Sequence, residues 1–132
     1  MNEPQHRLTA ILPCNDLDAS EAFYRRLGFT RPSEDGSATA EADDAYRILA
    51  DRQGGHLHLT RAVDGWLVAG RNPFGVYLYT EEVDRLAQVF AGEVIEKHGP
   101  EHKPWGMYEF ALSDPDGTLV RIGWPTRLRA SG

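Results

Sequence analysis

The apolar residues of this chain pass twice through one order of elements: strand, helix, strand, strand, strand. In the first half, 8–14 alternates as a strand that Asn15 and Asp16 close. Ala19, Ala22, Phe23 and Leu27 then recur at helical spacing, with Arg25 and Arg26 where they favour the helix dipole and Gly28 as a stop. Such a helix is expected to lay Phe23 against a sheet. Residues 29–31 begin a second strand that the polar stretch 32–36 interrupts, and 45–50 and 56–60 read as strands on either side of a 51–55 turn. In the second half, 74–79 reads as a strand. Val83, Leu86, Ala87 and Phe90 mark a helix that Gly92 can end, and strands are expected at 94–98, 108–112 and 119–122. The halves share element order and not sequence. This predicts an α+β fold of paired βαβββ modules: one domain over 1–132, with module one about 6–61, a linker about 62–72 and module two about 73–125.

A chain of 132 residues removes roughly two thirds of its unfolded surface from water, so its core requires neither disulfide nor structural metal. Cys14, the single cysteine, lies in an apolar stretch and reads as a buried, inert thiol. With no basic-then-apolar leader, this favours a reducing, cytoplasmic setting, and no apolar run approaches a membrane span. The net charge of −6, from 14 basic and 20 acidic residues, argues against a nucleic-acid surface and leaves room for a cationic small ligand.

Side chains with chemistry fall on alternating faces. His56 and His58 share one face of their strand, Leu57 and Leu59 the other, so the histidines turn to a cleft or to solvent. A metal contact, a ligand contact and an ordinary polar sheet face are all open to them. Tyr77 and Tyr79 share the face of Gly75 and offer an aromatic pocket wall, a dimer seam or a solvated sheet face. Trp66, in the linker, is either the tip of a lid or a residue packed on its own sheet or a partner subunit. Ser113-Asp-Pro-Asp-Gly117 is a tight turn between two strands. Counting back across it places Arg121 opposite Phe110, with Tyr108 on the same face, as an aromatic floor beside one guanidinium; a one-residue bulge would instead bring Arg121 to Glu109 in an ion pair. No nucleophile has a supported base, and neither a dinucleotide fingerprint nor a phosphate-binding loop is present.

Two stretches resemble signatures of the vicinal oxygen chelate superfamily, the glyoxalase, bleomycin-resistance and extradiol-dioxygenase group: Asn15-Asp-Leu-Asp-Ala-Ser-Glu-Ala-Phe-Tyr-Arg-Arg-Leu-Gly-Phe29 and Trp105-Gly-Met-Tyr-Glu-Phe-Ala-Leu-Ser-Asp-Pro-Asp-Gly117. The resemblance covers nearly the whole chain and implies open curved sheets whose concave side makes a cleft, commonly shared between the subunits of a dimer. Metal-dependent relatives place ligands at positions that correspond to Thr9, Gly75 and Arg121, and none of these can serve as the expected donor. Tyr108 stands where bleomycin-resistance-like members often have Arg, and Thr118 where Asn is frequent. The resemblance therefore implies a metal-independent small-molecule binding protein, of the kind that sequesters bleomycin. It would have no cofactor and no catalytic residue, act as a homodimer with shared clefts, take an aromatic or partly cationic ligand, and engage neither nucleic acid nor membrane. The expected ligand contacts are His58, Trp66, Tyr77, Tyr79, Tyr108, Phe110 and Arg121. A glyoxalase-related lyase or isomerase, and a structural or regulatory dimer module, are the alternative readings.

Overall fold

In a computed structural model, which describes residues 5–32 and 43–129, the chain forms two compact units, 1–62 and 63–132. The first contains β1 (Ala10–Cys14), α1 (Leu17–Arg25), β2 (Tyr46–Ala50) and β3 (His56–Arg61). Asp16 caps α1 by accepting a hydrogen bond from the Ala19 N–H at 3.1 Å, and Gly28, at φ 100°, allows the reversal that follows it. The strands lie in the order β1-β3-β2, β1 parallel and β2 antiparallel to β3. One face is apolar and buried: Leu12, Cys14, Leu49, Leu57 and Leu59, with Phe23 and Tyr24 of α1 also buried. Cys14 is thus the core thiol that its neighbours suggested.

Polar residues also join this helix to this sheet. Glu21 of α1, buried, accepts from Arg31 Nε and Nη2, both at 2.8 Å, and from Arg47 Nη1 of β2 at 2.9 Å. The strand expected at 29–31 shrinks to a single bridge, in which Thr30 and Ala50 exchange hydrogen bonds at 2.9 Å. Arg31 is drawn to Glu21 and Asp43, and Pro32 has no N–H with which to continue a ladder. Residues 33–36 of the polar stretch lie outside the described residues.

The second unit contains β4 (Gly75–Tyr79), α2 (Val83–Val89), β5 (Glu101–His102), β6 (Met107–Ser113) and β7 (Leu119–Pro125), followed by a short 3-10 helix (Thr126–Leu128). Its sheet order is β4-β7-β6-β5, with β4 and β7 parallel and the other pairs antiparallel. α2 packs on β6 and β7, where Phe90, Phe110, Leu112, Val120 and Ile122 are buried. The strand expected at 94–98 does not form. The Ile95 N–H donates to the Ala111 carbonyl at 2.9 Å and the Glu96 side chain accepts from the Ala111 N–H at 2.8 Å, so a bend and one carboxylate satisfy this part of the β6 edge. The pairing strand comes later, at β5. Mixed sheets with a helix on one face give the expected α+β class, and no helix among the described residues is long and apolar enough to cross a membrane.

Candidate functional site: an aromatic face built around a buried carboxylate

The sheet of the second unit buries its α2 side, while the other side carries polar and aromatic groups. Gly75, Tyr77 and Tyr79 of β4 alternate onto it, as expected, and parallel register places Tyr77 beside Arg121. The antiparallel register of β6 and β7 sets Ala111 opposite Arg121 and Glu109 opposite Gly123. Glu109 is therefore on the face of Arg121, although it is 0% exposed. Its Oε2 accepts from Arg121 Nη1 at 2.6 Å, and its Oε1 accepts from the Tyr77 hydroxyl at 2.7 Å and from Trp105 Nε1 at 3.1 Å. Three donors from three parts of the chain converge on one carboxylate. The Trp105 ring is 59% exposed and lies 5.7 Å from the Arg121 guanidinium, and the Tyr77 and Tyr79 rings meet at 4.9 Å.

Gly123 makes this convergence feasible. A Cβ there would fall 2.2 Å from the Tyr77 hydroxyl and 2.8 Å from Glu109 Cβ. Only a residue without a side chain lets the phenol lie across β7 to the carboxylate. Burial alone would raise the Glu109 carboxyl, but the Tyr77, Trp105 and Arg121 hydrogen bonds outweigh it and hold the group below the ordinary glutamate value. Tyr77 moves the other way: burial, then its bond to Glu109, pushes its hydroxyl well above the usual tyrosine range.

Two expected contacts are corrected. Phe110 pairs with Ile122 across the α2 side and is 0% exposed, a core residue that cannot line the Arg121 face. Tyr108 shares that opposite side: its hydroxyl donates to Asp84 of α2 at 2.5 Å, and the Arg129 guanidinium sits 3.6 Å over its ring. The cause is the turn. The Asp114 side chain accepts from the N–H groups of Asp116 and Thr118, fixing a five-residue connection that sets Ser113 opposite Leu119. Arg121 thus meets Glu109 without any bulge. Trp105 is absent from the contacts expected from the sequence, and Glu109 enters there only as an ion-pair partner of Arg121 across a bulge; the pair forms in regular register instead.

Two further expected contacts, His58 and Trp66, belong to other segments of the chain. His58 is on the open face of the first sheet, between Ile11 and Ile48 in register, with its Nδ1 2.6 Å from the Tyr46 hydroxyl. Burial, then Arg7 and His56, lower its pKa. Leu57 and Leu59 are buried on the opposite side, as expected. Trp66, 80% exposed, follows the turn at Gly65, while its neighbour Leu67 is buried.

A divalent ion does not suit the positions at which metal-dependent relatives hold one. Gly75 offers no donor, Arg121 is a cation already bonded to the nearest carboxylate, and Thr9 offers a lone hydroxyl. Among the described residues no three His, Cys, Asp or Glu side chains are placed to hold a metal.

Comparison with known proteins agrees with this architecture. Residues 6–122 match the family model of the glyoxalase/bleomycin resistance protein/dioxygenase superfamily. A bleomycin resistance protein of Klebsiella pneumoniae is 30% identical over 122 residues, spanning 86% of this chain and 88% of that protein. The crystal structure of a bleomycin resistance determinant encoded on the transposon Tn5 superimposes with a TM-score of 0.69 at 29% identity, covering 92% of this chain and 98% of that one. A bleomycin-binding protein complexed with bleomycin gives the same TM-score and identity over 91% and 98%. By sequence, element order and fold, the chain belongs to the glyoxalase/bleomycin resistance protein/dioxygenase superfamily.

Proposed function

We propose that this protein binds and sequesters an aromatic or partly cationic small molecule of the bleomycin type, without transforming it. The observation that carries the reading is the open face of the second sheet. There Tyr77, Tyr79 and Trp105 surround the Glu109–Arg121 pair, giving ring surface for stacking and a fixed polar centre for orientation. Bleomycin-binding and bleomycin-resistance relatives at about this identity support the ligand class. Binding is favoured over proton transfer because neither titratable group at the centre is poised to shuttle a proton: three donors hold Glu109 below the ordinary glutamate value, and burial and the bond to Glu109 push the Tyr77 hydroxyl well above the usual tyrosine range, so it stays protonated. The protein acts as a homodimer in the cytoplasm, where a second copy shields apolar side chains such as Ile11 and Ile48 beside His58.

Titration calorimetry with metal-free bleomycin, paired with quenching of tryptophan emission, tests the reading. Saturable binding with a Kd below about 10 μM is expected. Neither heat nor quenching at millimolar ligand would reject it and favour the structural-module reading, whereas a product formed from a small metabolite would favour a lyase or isomerase. Light scattering checks the dimer separately.

A further inference from the structure

We infer that the outward edge of Arg121, held in place by Glu109, recognises a planar uncharged group through a carbonyl oxygen that accepts from both of its donors, as in a carboxamide or an amide-bearing heteroaromatic ring. This deepens the small-molecule reading above and rests on it: it states which part of a ligand the aromatic face holds, and makes Glu109 a positioning residue.

Geometry comes first. Among the described residues, the only hydrogen-bond acceptor that Arg121 reaches is Glu109, through Nη1. Among the described residues Nε and Nη2 have no acceptor and no buried side-chain nitrogen or oxygen lacks a partner, so these two atoms reach the surface. The side chain is 36% exposed, in keeping with one edge turned inward and one outward. The outward edge is a rigid planar fork of parallel donors beside the exposed Trp105 ring, matched to a flat group that stacks and accepts at once.

Charge then selects among flat acceptors. Glu109 and Arg121 in contact sum to zero, and the bonds to Glu109 keep it ionised. A ligand carboxylate on Arg121 would bring a second anion beside the buried Glu109, on a chain of net charge −6. A ligand cation would face the guanidinium and find no carboxylate, because Glu109 is fully buried and both its oxygens are already bonded. A neutral dipole with its carbonyl oxygen forward avoids both penalties.

The test uses three probes that share a ring and differ in charge: benzamide, benzoate and benzamidinium. Each is titrated into the full-length protein while the Arg121 Nε–H and Trp105 Nε1–H resonances are followed by NMR. Benzamide should shift both saturably and bind about tenfold more tightly than either charged probe. Arg121→Lys, which keeps the charge and loses the fork, should abolish the benzamide shift at Trp105, with folding checked by circular dichroism; Arg121→Met repeats the test should the lysine variant not fold. Glu109→Gln should turn the preference toward benzoate by about tenfold, since Arg121 is then uncompensated, a change that a purely structural role for Glu109 would not produce. Tightest binding by benzoate or benzamidinium to the native protein, no saturable shift with any probe, a benzamide shift that survives Arg121→Lys, or an unchanged preference in Glu109→Gln would each overturn the inference. Bleomycin titration is independent of these probes. Bleomycin binding without a benzamide shift removes the anchor and leaves the binding function, whereas a benzamide shift without bleomycin binding removes the bleomycin assignment and leaves the anchor.

Discussion

Gly123 lies directly beneath the Tyr77 hydroxyl, and the absence of its side chain is what allows that phenol to reach Glu109 across the neighbouring strand. Gly123→Ala would place a methyl 2.2 Å from the hydroxyl and 3.0 Å from the Tyr108 carbonyl, neither of which can move without breaking a hydrogen bond or the strand ladder. The variant should fold with a stability loss of about 1–3 kcal/mol, the range for overpacking, and should lose the Tyr77 bond to Glu109. Chemical denaturation measures the first effect. A lowered titration midpoint of the Tyr77 phenol in ultraviolet difference spectra measures the second.

Removing the carboxylate leaves three donors facing one another. Glu109→Ala is expected to cost about 2–4 kcal/mol, because the Tyr77 hydroxyl and the Trp105 N–H lose their acceptor while Arg121 loses its counter-charge. Glu109→Gln retains an acceptor for Tyr77 and Trp105 and should cost about half as much. Urea melts of both variants check the order. Equal losses would mean that the charge of Glu109, and not its hydrogen bonding, holds the cluster.

How this cluster relates to the sequence is instructive. Alternation placed Tyr77 and Tyr79 on the face of Gly75, because strand period depends on backbone geometry alone; that Arg121 joins them is set by the parallel register of β4 and β7. Facing residues across β6 and β7 depended instead on how many residues the Asp-Pro-Asp-Gly turn consumes. The Asp114 side chain settles that count by bonding two backbone N–H groups, and a shift of one residue moved Phe110 and Tyr108 to the core side and brought in Glu109. The helices were legible from periodicity and caps. The strand that the sequence suggests at 94–98 does not form, because the Glu96 side chain, not a backbone ladder, satisfies the Ala111 N–H. Long-range polar links of this kind, including Arg47 to Glu21, carry no local sequence signal.

That second network gives its own prediction. Arg47 is buried in β2 and joins Glu21 and Asp18 of α1, each at 2.9 Å, to the Asp43 carbonyl, which Nε reaches at 2.9 Å. Arg47→Met keeps the stem volume and removes every one of these bonds. Glu21 retains Arg31 and Arg25, so the loss should be about 2 kcal/mol and not the full cost of stranding a buried ion. Thermal unfolding should show it as a lowered Tm. Ligand binding on the second sheet should be unchanged if the two networks are independent.

The pH dependence of stability draws on Glu109 and Glu21, on the Tyr77 and Tyr108 phenols, both raised first by burial, and on His58, whose lowered value makes its contribution fade as the pH falls below about 6.5. Glu109 and Glu21 sit below the ordinary glutamate value, the first despite burial through its Tyr77, Trp105 and Arg121 bonds, the second chiefly through Arg31. A depressed carboxyl binds fewer protons folded than unfolded, so its contribution is present above the unfolded pKa of about 4.3 and is lost as the pH falls through the folded value. Tyr77 is raised, chiefly by burial, so its contribution is complete below the unfolded pKa of about 10 and is lost as the pH rises beyond it. Tm should therefore be nearly flat from about pH 7 to 9, begin to fall below about 6.5 with His58, fall further below about 4.5, and fall again above about 10. Glu109→Gln should flatten the acid limb and also weaken the alkaline one, because Glu109 helps to raise Tyr77; Tyr77→Phe should remove the Tyr77 share of the alkaline limb and weaken the acid one, because Glu109 loses one of the donors that lower it. An acid limb as steep in Glu109→Gln as in the native protein would assign the acid loss to Glu21 and its arginines, and would mean that Glu109 is not held below its ordinary value by the donors around it.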